Sequence, residues 1–386
     1  MRSSLVLMLW MSLALPAVGS EAAPGLDLGR FIGGDVETGF AVADGPRPFR
    51  FPEDHGAHPD FRTEWWYLVT HLTDASGRPF SAQFTLFRQA LAPPGVDSVE
   101  PTSRWRTRQV WMAHVALSGP DGRHQASERF ARGELGLAGV RAEPFAAWLE
   151  DWRLAAAPSS ALFPLALEAW VDDVERPFRL DLEFDEPRGP ILQGDRGYSP
   201  KSARDGNASY YYSFTRMQAY GSIELDGRAF EVSGLAWLDR EWSSSVLDPG
   251  QTGWDWFALH LDDGRDLKVF QIRRDDGSID AASAGTLVAT DGSTTALGRE
   301  DFSLAPLETW DDGDGGSWPV AWRLEVPAAG VAGRVVARHP DQLNRLSVRY
   351  WEGQVCLDGP VAGCGFLEMT GYGSPTPAAM APQGRD

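Results

Sequence analysis

Trp65-Trp66-Tyr67-Leu68-Val69-Thr70-His71-Leu72-Thr73, followed after a turn by Ala82-Gln83-Phe84-Thr85-Leu86-Phe87-Arg88, is the stretch that decides the fold. Its side chains alternate between two faces at the period of a β-strand, and the intervening turn makes the pair a hairpin. The pattern returns downstream as Trp254-Asp255-Trp256-Phe257-Ala258-Leu259-His260-Leu261-Asp262, a turn, then Lys268-Val269-Phe270-Gln271-Ile272-Arg273-Arg274. Trp65 aligns with Trp254, His71 with His260, Phe84 with Phe270 and Arg88 with Arg274. A fainter echo links residues 115–122 to 286–292. One β unit recurring in this way reads as an internal duplication, divided near residues 212–221.

The punctuation around these hairpins is that of an all-β protein. Turn dipeptides recur at Ser76-Gly77, Asp121-Gly122, Asp205-Gly206, Asp226-Gly227, Asp263-Gly264, Asp276-Gly277 and Asp291-Gly292. Between them lie strand-like pieces at residues 65–72, 82–87, 112–117, 230–235, 256–261 and 267–272. Residues 140–155 alone have spacing that allows a short helix. The acidic, glycine-rich stretch 311–317 reads as a loop and the proline-rich stretch 375–382 as a frayed tail. Repeated short hairpins suggest barrels or sandwiches.

The chain has 386 residues, 43% of them hydrophobic, with 16 Trp and 19 Phe, enough for a large core and too apolar for disorder. Its 54 acidic residues outweigh 35 Lys and Arg, a net charge of −19, and such a surface repels the phosphate backbone of a nucleic acid. The lysines are Lys201 and Lys268 alone, which removes polybasic membrane tethers.

Residues 5–18 form an apolar run behind a single positive charge, too short to span a bilayer. Small residues follow, so 1–20 reads as a cleavable signal peptide and 21–45 as a linker. The expected product is exported, to the periplasm or an equivalent compartment, and does not span a membrane. In that oxidising setting Cys356 and Cys364, which flank the turn residues Asp358-Gly359-Pro360, are expected to pair as a structural disulfide.

Familiar catalytic signatures are missing: there is no G-x-S-x-G elbow, H-E-x-x-H, P-loop or dinucleotide fingerprint. Asp54-His55-Gly56-Ala57-His58-Pro59-Asp60 could hold a divalent cation, but a polar loop ordered by His–Asp hydrogen bonds explains it equally well. No metal or cofactor is assigned. Strand alternation puts Glu64, Trp66, Leu68 and Leu72 on one face and Trp65, Tyr67, Val69 and His71 on the other. The aromatics are either core fillers or the wall of a cavity for a large apolar ligand with Glu64 at its mouth. Asp255 falls on the apolar face of Phe257, Leu259 and Leu261. It is either a buried acid paired with a cation such as Arg240, or a protonated acid poised beside indole rings.

Five motifs in order resemble the AttH and carotenoid 1,2-hydratase superfamily. They are Asp54-His55-Gly56 with Glu64-Trp65-Trp66-Tyr67; Tyr210-Tyr211-Tyr212-Ser213-Phe214-Thr215-Arg216-Met217; Gly234-Leu235-Ala236-Trp237-Leu238-Asp239-Arg240-Glu241-Trp242; Gly253-Trp254-Asp255-Trp256-Phe257; and Tyr350-Trp351-Glu352-Gly353. The resemblance spans residues 50–373. It implies two lipocalin-like antiparallel β-barrel domains, 46–215 and 216–374, with an apolar ligand site near their junction. The ligand wall is expected from Glu64, Trp65, Trp66, Tyr67, Trp242, Trp254 and Trp256.

Two functions follow from the resemblance, and a third stands apart from it. AttH-like members resemble exported partners of ABC export systems, which here implies a carrier of an isoprenoid or lipid-like molecule. The hydratases add water to a terminal double bond of acyclic carotenoids without a cofactor. In that reading Asp255 donates the proton, the Trp rings face the cation, and Glu241 or His260 positions water. The hydratases place histidine where this chain has Arg240, and arginine does not shuttle protons at neutral pH. The third function is docking on a membrane complex through an exposed aromatic patch.

Overall fold

The computed structural model describes residues 26–28, 39–95, 107–186, 188–243, 245 and 247–373. The expected signal peptide, residues 21–25 and 29–38 of the linker, and the 375–386 tail lie outside the described residues.

Two antiparallel sheets account for the chain. The first contains β1 (Thr63–Asp74), β2 (Pro79–Ala90), β3 (Gln109–Ser118), β4 (His124–Ala131), β5 (Ala138–Arg141), β6 (Ala146–Leu149), β7 (Trp152–Ala156), β8 (Leu165–Val171), β9 (Phe178–Asp185), β10 (Ala208–Leu225) and β11 (Arg228–Ser243). The second contains β12 (Gln251–Leu261), β13 (Asp266–Arg274), β14 (Ala284–Val288), β15 (Thr294–Leu297), β16 (Ser303–Asp311), β17 (Ser317–Val326), β18 (Val331–Ala337), β19 (Val348–Asp358) and β20 (Gly363–Met369). Spatial order is β4-β3-β2-β1-β11-β10-β9-β8-β7-β6-β5 in one and β15-β14-β13-β12-β20-β19-β18-β17-β16 in the other. Short strands at Ile191–Leu192 and Tyr198–Pro200 pair with β10, and Leu26–Asp27 and Leu343–Arg345 pair with β19.

Both sheets follow one plan: a meander whose first strand pairs with its last. The first curls into a nearly closed barrel and the second into a half-barrel. The duplication read from the hairpins is thus present in the topology. Its alignment needs one correction. His71 faces Ser81 and His260 faces Asp266, so the second hairpin is four residues shorter, not three. Arg273, not Arg274, therefore matches Arg88. Phe84 packs inside the first sheet, whereas Phe270 lies between the sheets.

The seven turn glycines read from the sequence all have φ between +70° and +88°. At Asp226-Gly227 both residues have positive φ (53° and 70°), the two-residue hairpin geometry whose twist matches the flanking strands. The helix expected within 140–155 is absent, since that stretch supplies β6 and β7. Leu149 and Trp152, whose spacing imitates a helical face, are brought to one core by a turn with Glu150 at φ +57°.

Alternation sorts the side chains into three packed layers. Trp66, Leu68, Phe84, Trp152 and Trp242 fill the first sheet's concavity, and Phe257, Leu259, Trp318, Trp322 and Trp351 fill the second's. The opposite faces meet at Tyr67, Val69, Trp237, Trp256, Phe270 and Phe366. The sheets part between Ser243 and Gln251, and position 215/216 lies within β10. Cys356 and Cys364 stand directly opposite on β19 and β20 and form a disulfide. Among the described residues no helix is long and apolar enough to cross a membrane.

Candidate functional site

The packed faces leave a cavity at the seam of about 690 Å³, its open mouth included. β1 supplies Trp65 and Tyr67, and β12 supplies Trp254 and Trp256, the equivalent residues of the second copy. Phe87, Phe270 and Ile272 extend the apolar wall, and Leu28 closes it from the strand beside β19. Tyr67 and Trp256 meet edge to face with centroids 5.3 Å apart, so equivalent residues touch across the seam. The lining suits an apolar molecule.

Ionisable groups gather on the same faces. Register places Asp239 of β11 opposite Tyr67 and Glu241 opposite Trp65, and both acids line the cavity. Asp239 accepts hydrogen bonds from Tyr211 (2.5 Å), Ser213 (2.5 Å) and the Trp237 indole (2.6 Å). Burial still pushes its carboxyl up to about 6, against those donors. Trp256 Nε1 donates to Tyr211 Oη at 3.3 Å, which links the cavity wall to Asp239.

Glu368 of β20 enters from the other sheet and accepts from Trp254 Nε1 at 2.6 Å. Burial pushes it up to about 7, with the Asp239 and Glu241 charges adding to the effect. Glu352 stands opposite Glu368 across β19 and β20, fully enclosed. Burial and then Glu368 hold its carboxyl well above the usual range. Lys201 salt-bridges Glu241 at 2.7 Å. Lys268, on the face of Phe270 and Ile272, is lowered to about 7 by burial and by Lys201. Asp239, Glu241, Glu368 and Lys201 thus line an apolar pocket, and the Lys268 amine lies beside two of its rings, those of Tyr211 and Phe270.

His260 lies beside this region rather than in the wall. Its Nδ1 is 2.8 Å from His71 Nε2, and its Nε2 donates to the Thr215 carbonyl at 2.6 Å. Burial lowers His71 to about 4 and takes His260 well below its usual range, so both rings are neutral.

The remaining expected site residues lie elsewhere. Glu64, Trp66 and Trp242 point into the first sheet, away from the seam. Glu64 is ion-paired with both Arg88 and Arg240, which hold its carboxyl well below the usual range despite complete burial. Arg240 lies 3.9 Å from the Trp66 ring and 4.9 Å from that of Trp242. His58 stacks on Trp242 at 3.9 Å and bonds Asp54 at 3.1 Å, while His55 turns away to the Tyr212 hydroxyl at 2.6 Å. The Asp54–Asp60 motif is thus a hydrogen-bonded plug, and no described group of three or more His, Cys, Asp or Glu is placed to hold a metal. Asp255 points into the second sheet's core. Its cation is Arg273 (3.2 Å), not Arg240, and Gln271 donates to it at 2.8 Å. Arg88 stands directly opposite Glu64, whereas Arg273 stands opposite Gly253 and reaches Asp255 diagonally.

Sequence reading placed Trp65, Tyr67, Glu241, Trp254 and Trp256 on the side chains that do converge. It did not single out Asp239, Glu368, Glu352, Tyr211, Lys201 or Lys268 as site residues. One signal was available, since Asp239 and Glu241 share strand parity with Trp237.

Two curled antiparallel sheets that clasp an acid-lined apolar cavity define a duplicated, lipocalin-like class of protein. Residues 42–372 match the AttH-like family model, and the chain belongs to that family. It is similar to the crystal structure of an AttH-type protein of Nitrosomonas europaea, with 33% identity and a TM-score of 0.74 over 86% of this chain and 100% of that one. Kievitone hydratase of Nectria haematococca shares the fold at 13% identity, with a TM-score of 0.59 over 88% of this chain and 99% of that one. In sequence the chain is 29% identical over 176 residues to the dehydratase asqC of Emericella nidulans, covering 42% of this chain and 47% of that relative. The chain therefore matches about half the length of this curated relative.

Proposed function

We propose that the protein binds a small isoprenoid- or lipid-like molecule at the seam of its sheets and adds water to it, or removes water from it, without a cofactor. The observation that carries this reading is Glu368: a carboxyl that titrates near 7, fixed by Trp254 against an aromatic wall. Such an acid is protonated often enough at neutral pH to donate, and ionised often enough to take a proton back. In hydration Glu368 protonates one alkene carbon, the indole faces of Trp65 and Trp254 stabilise the cation, and water adds to it. The water's proton leaves to Asp239 through the Tyr211 hydroxyl. Dehydration is the reverse. The dehydratase relative supports the reaction class, and the disulfide supports an oxidising, extracytoplasmic location.

Tryptophan emission titrated with geraniol, an acyclic terpenoid alcohol, should shift saturably. Mass spectrometry should then detect loss or gain of water by wild type but not by Glu368→Gln, which keeps the titration. Saturable binding without turnover would leave a carrier. An absence of binding to any apolar alcohol would remove both.

A further inference from the structure

The chain's two lysines, 67 positions apart in sequence, converge on one pair of rings. Lys268 Nζ lies 4.5 Å from the Tyr211 ring centroid and 4.7 Å from that of Phe270; Lys201 Nζ lies 5.3 Å and 5.1 Å from the same centroids. Both rings line the cavity. The amines differ in their partners. Lys201 is held by Glu241, whereas no carboxylate among the described residues lies within salt-bridge distance of Lys268, which is 2% exposed.

From this juxtaposition we infer that Lys268 is a nucleophilic amine that captures apolar aldehydes or ketones in the cavity as a Schiff base. The inference rests on the seam cavity being a ligand site, and it names the chemical class of that ligand. A buried amine beside a second cation loses its proton readily, and a neutral amine attacks carbonyl carbon. The groups that set its charge state are Lys201, which opposes protonation, and Asp239 and Glu241, which favour it.

The step balances without an external oxidant or reductant. The Nζ lone pair forms a bond to the carbonyl carbon, and the C=O π pair moves to oxygen. Glu368 protonates that oxygen, one proton of the nitrogen passes to it as well, water leaves as the C=N bond forms, and the nitrogen's remaining proton returns to Glu368 if the imine is neutral. With a β-hydroxy carbonyl ligand, the protonated imine acidifies the α-carbon. Loss of the α-proton and of hydroxide as water then gives the unsaturated compound, in keeping with the dehydration proposed above.

With only two lysines and one α-amine, the test is unambiguous. Folded full-length protein is incubated with citral, an acyclic terpenoid aldehyde, and sodium cyanoborohydride, then weighed intact and peptide-mapped. The expected result is one adduct per chain, on Lys268, saturable in citral, suppressed by excess geraniol, and weaker at pH 5 than at pH 8 by more than about tenfold. Lys268→Arg should lose it. Lys268→Met, which keeps the apolar stem, should lose it while still shifting tryptophan emission with geraniol. Labelling confined to Lys201 or the α-amine, or no greater at Lys268 than in guanidinium-unfolded protein, overturns the inference. If citral and geraniol both shift the emission but no adduct forms, the amine is wrong and the ligand site stands. If neither shifts it, both fail.

Discussion

His71 and His260 occupy the same position in the two hairpins and hydrogen-bond to each other, Nε2 to Nδ1, at 2.8 Å across the seam. The contact marks the local two-fold relation between the copies, and Tyr67 against Trp256 repeats it four residues, or two alternations, away. Such self-facing pairs are what a two-fold interface produces. The symmetry extends to one pair of acids, since Asp239 stands opposite Tyr67 in the first sheet and Glu368 stands opposite Trp256 in the second.

The histidine pair should make the seam acid-sensitive. Both folded pKa values lie below the usual 6.5, that of His71 at about 4, so the unfolded chain binds more protons in between. The pair's contribution is therefore present above pH 6.5 and lost as pH falls toward 4. Urea titrations at pH 7 and pH 4.5 should show a larger loss for wild type than for the His71→Gln/His260→Gln double variant. Equal losses would show that the pair is not the sensor.

Glu368 works in the opposite direction. Its folded pKa of about 7 lies above the ordinary 4.5, so its contribution is complete below pH 4.5 and lost as pH rises through 7. Glu368→Gln should gain about 2–3 kcal/mol over wild type at pH 8 and almost nothing at pH 4, by chemical denaturation. A variant that loses stability at pH 8 would contradict this.

Arg240 should behave as a structural cation. It shares Glu64 with Arg88 inside the first sheet and lies against Trp66 and Trp242. Arg240→Met should cost about 3–5 kcal/mol by leaving a buried carboxylate half-compensated, and adding Glu64→Gln should recover part of the loss. Geraniol titration of whatever fraction remains folded should be unchanged.

Asp255→Asn should likewise destabilise, because Arg273 loses its carboxylate, and Asp255 lies on the strand face opposite the cavity. Tryptophan titrations and any turnover should persist in the folded variant. Turnover lost at unchanged stability would return Asp255 to the catalytic role first expected of it.

Opening the disulfide should act on stability alone. Cys356→Ser with Cys364→Ser should cost about 2–3 kcal/mol in the chain-entropy account, with ligand titration intact.

The contrast between Tyr67 and Asp255 shows what the sequence made legible. Alternation assigned each to a face correctly, because strand period is local. Which face meets the other sheet is a long-range matter. Asp255 was therefore read as a site acid although its apolar companions line a private core. Glu368 was invisible for the complementary reason: nothing within its own strand says that Trp254 stands beside it. The slipped match of Phe84 to Phe270 arose in the turn, where length is under weak physical constraint.

Each sheet closes by pairing its first strand with its last, and this sets an order of events during synthesis. The first barrel has all its strands once Ser243 has left the ribosome, whereas the seam waits for β20. In that interval Tyr67, Val69 and Trp237 face water with no partner sheet. A chain stalled or clipped before residue 363 thus presents a folded half with a bare aromatic flank, the kind of surface that chaperones and proteases recognise.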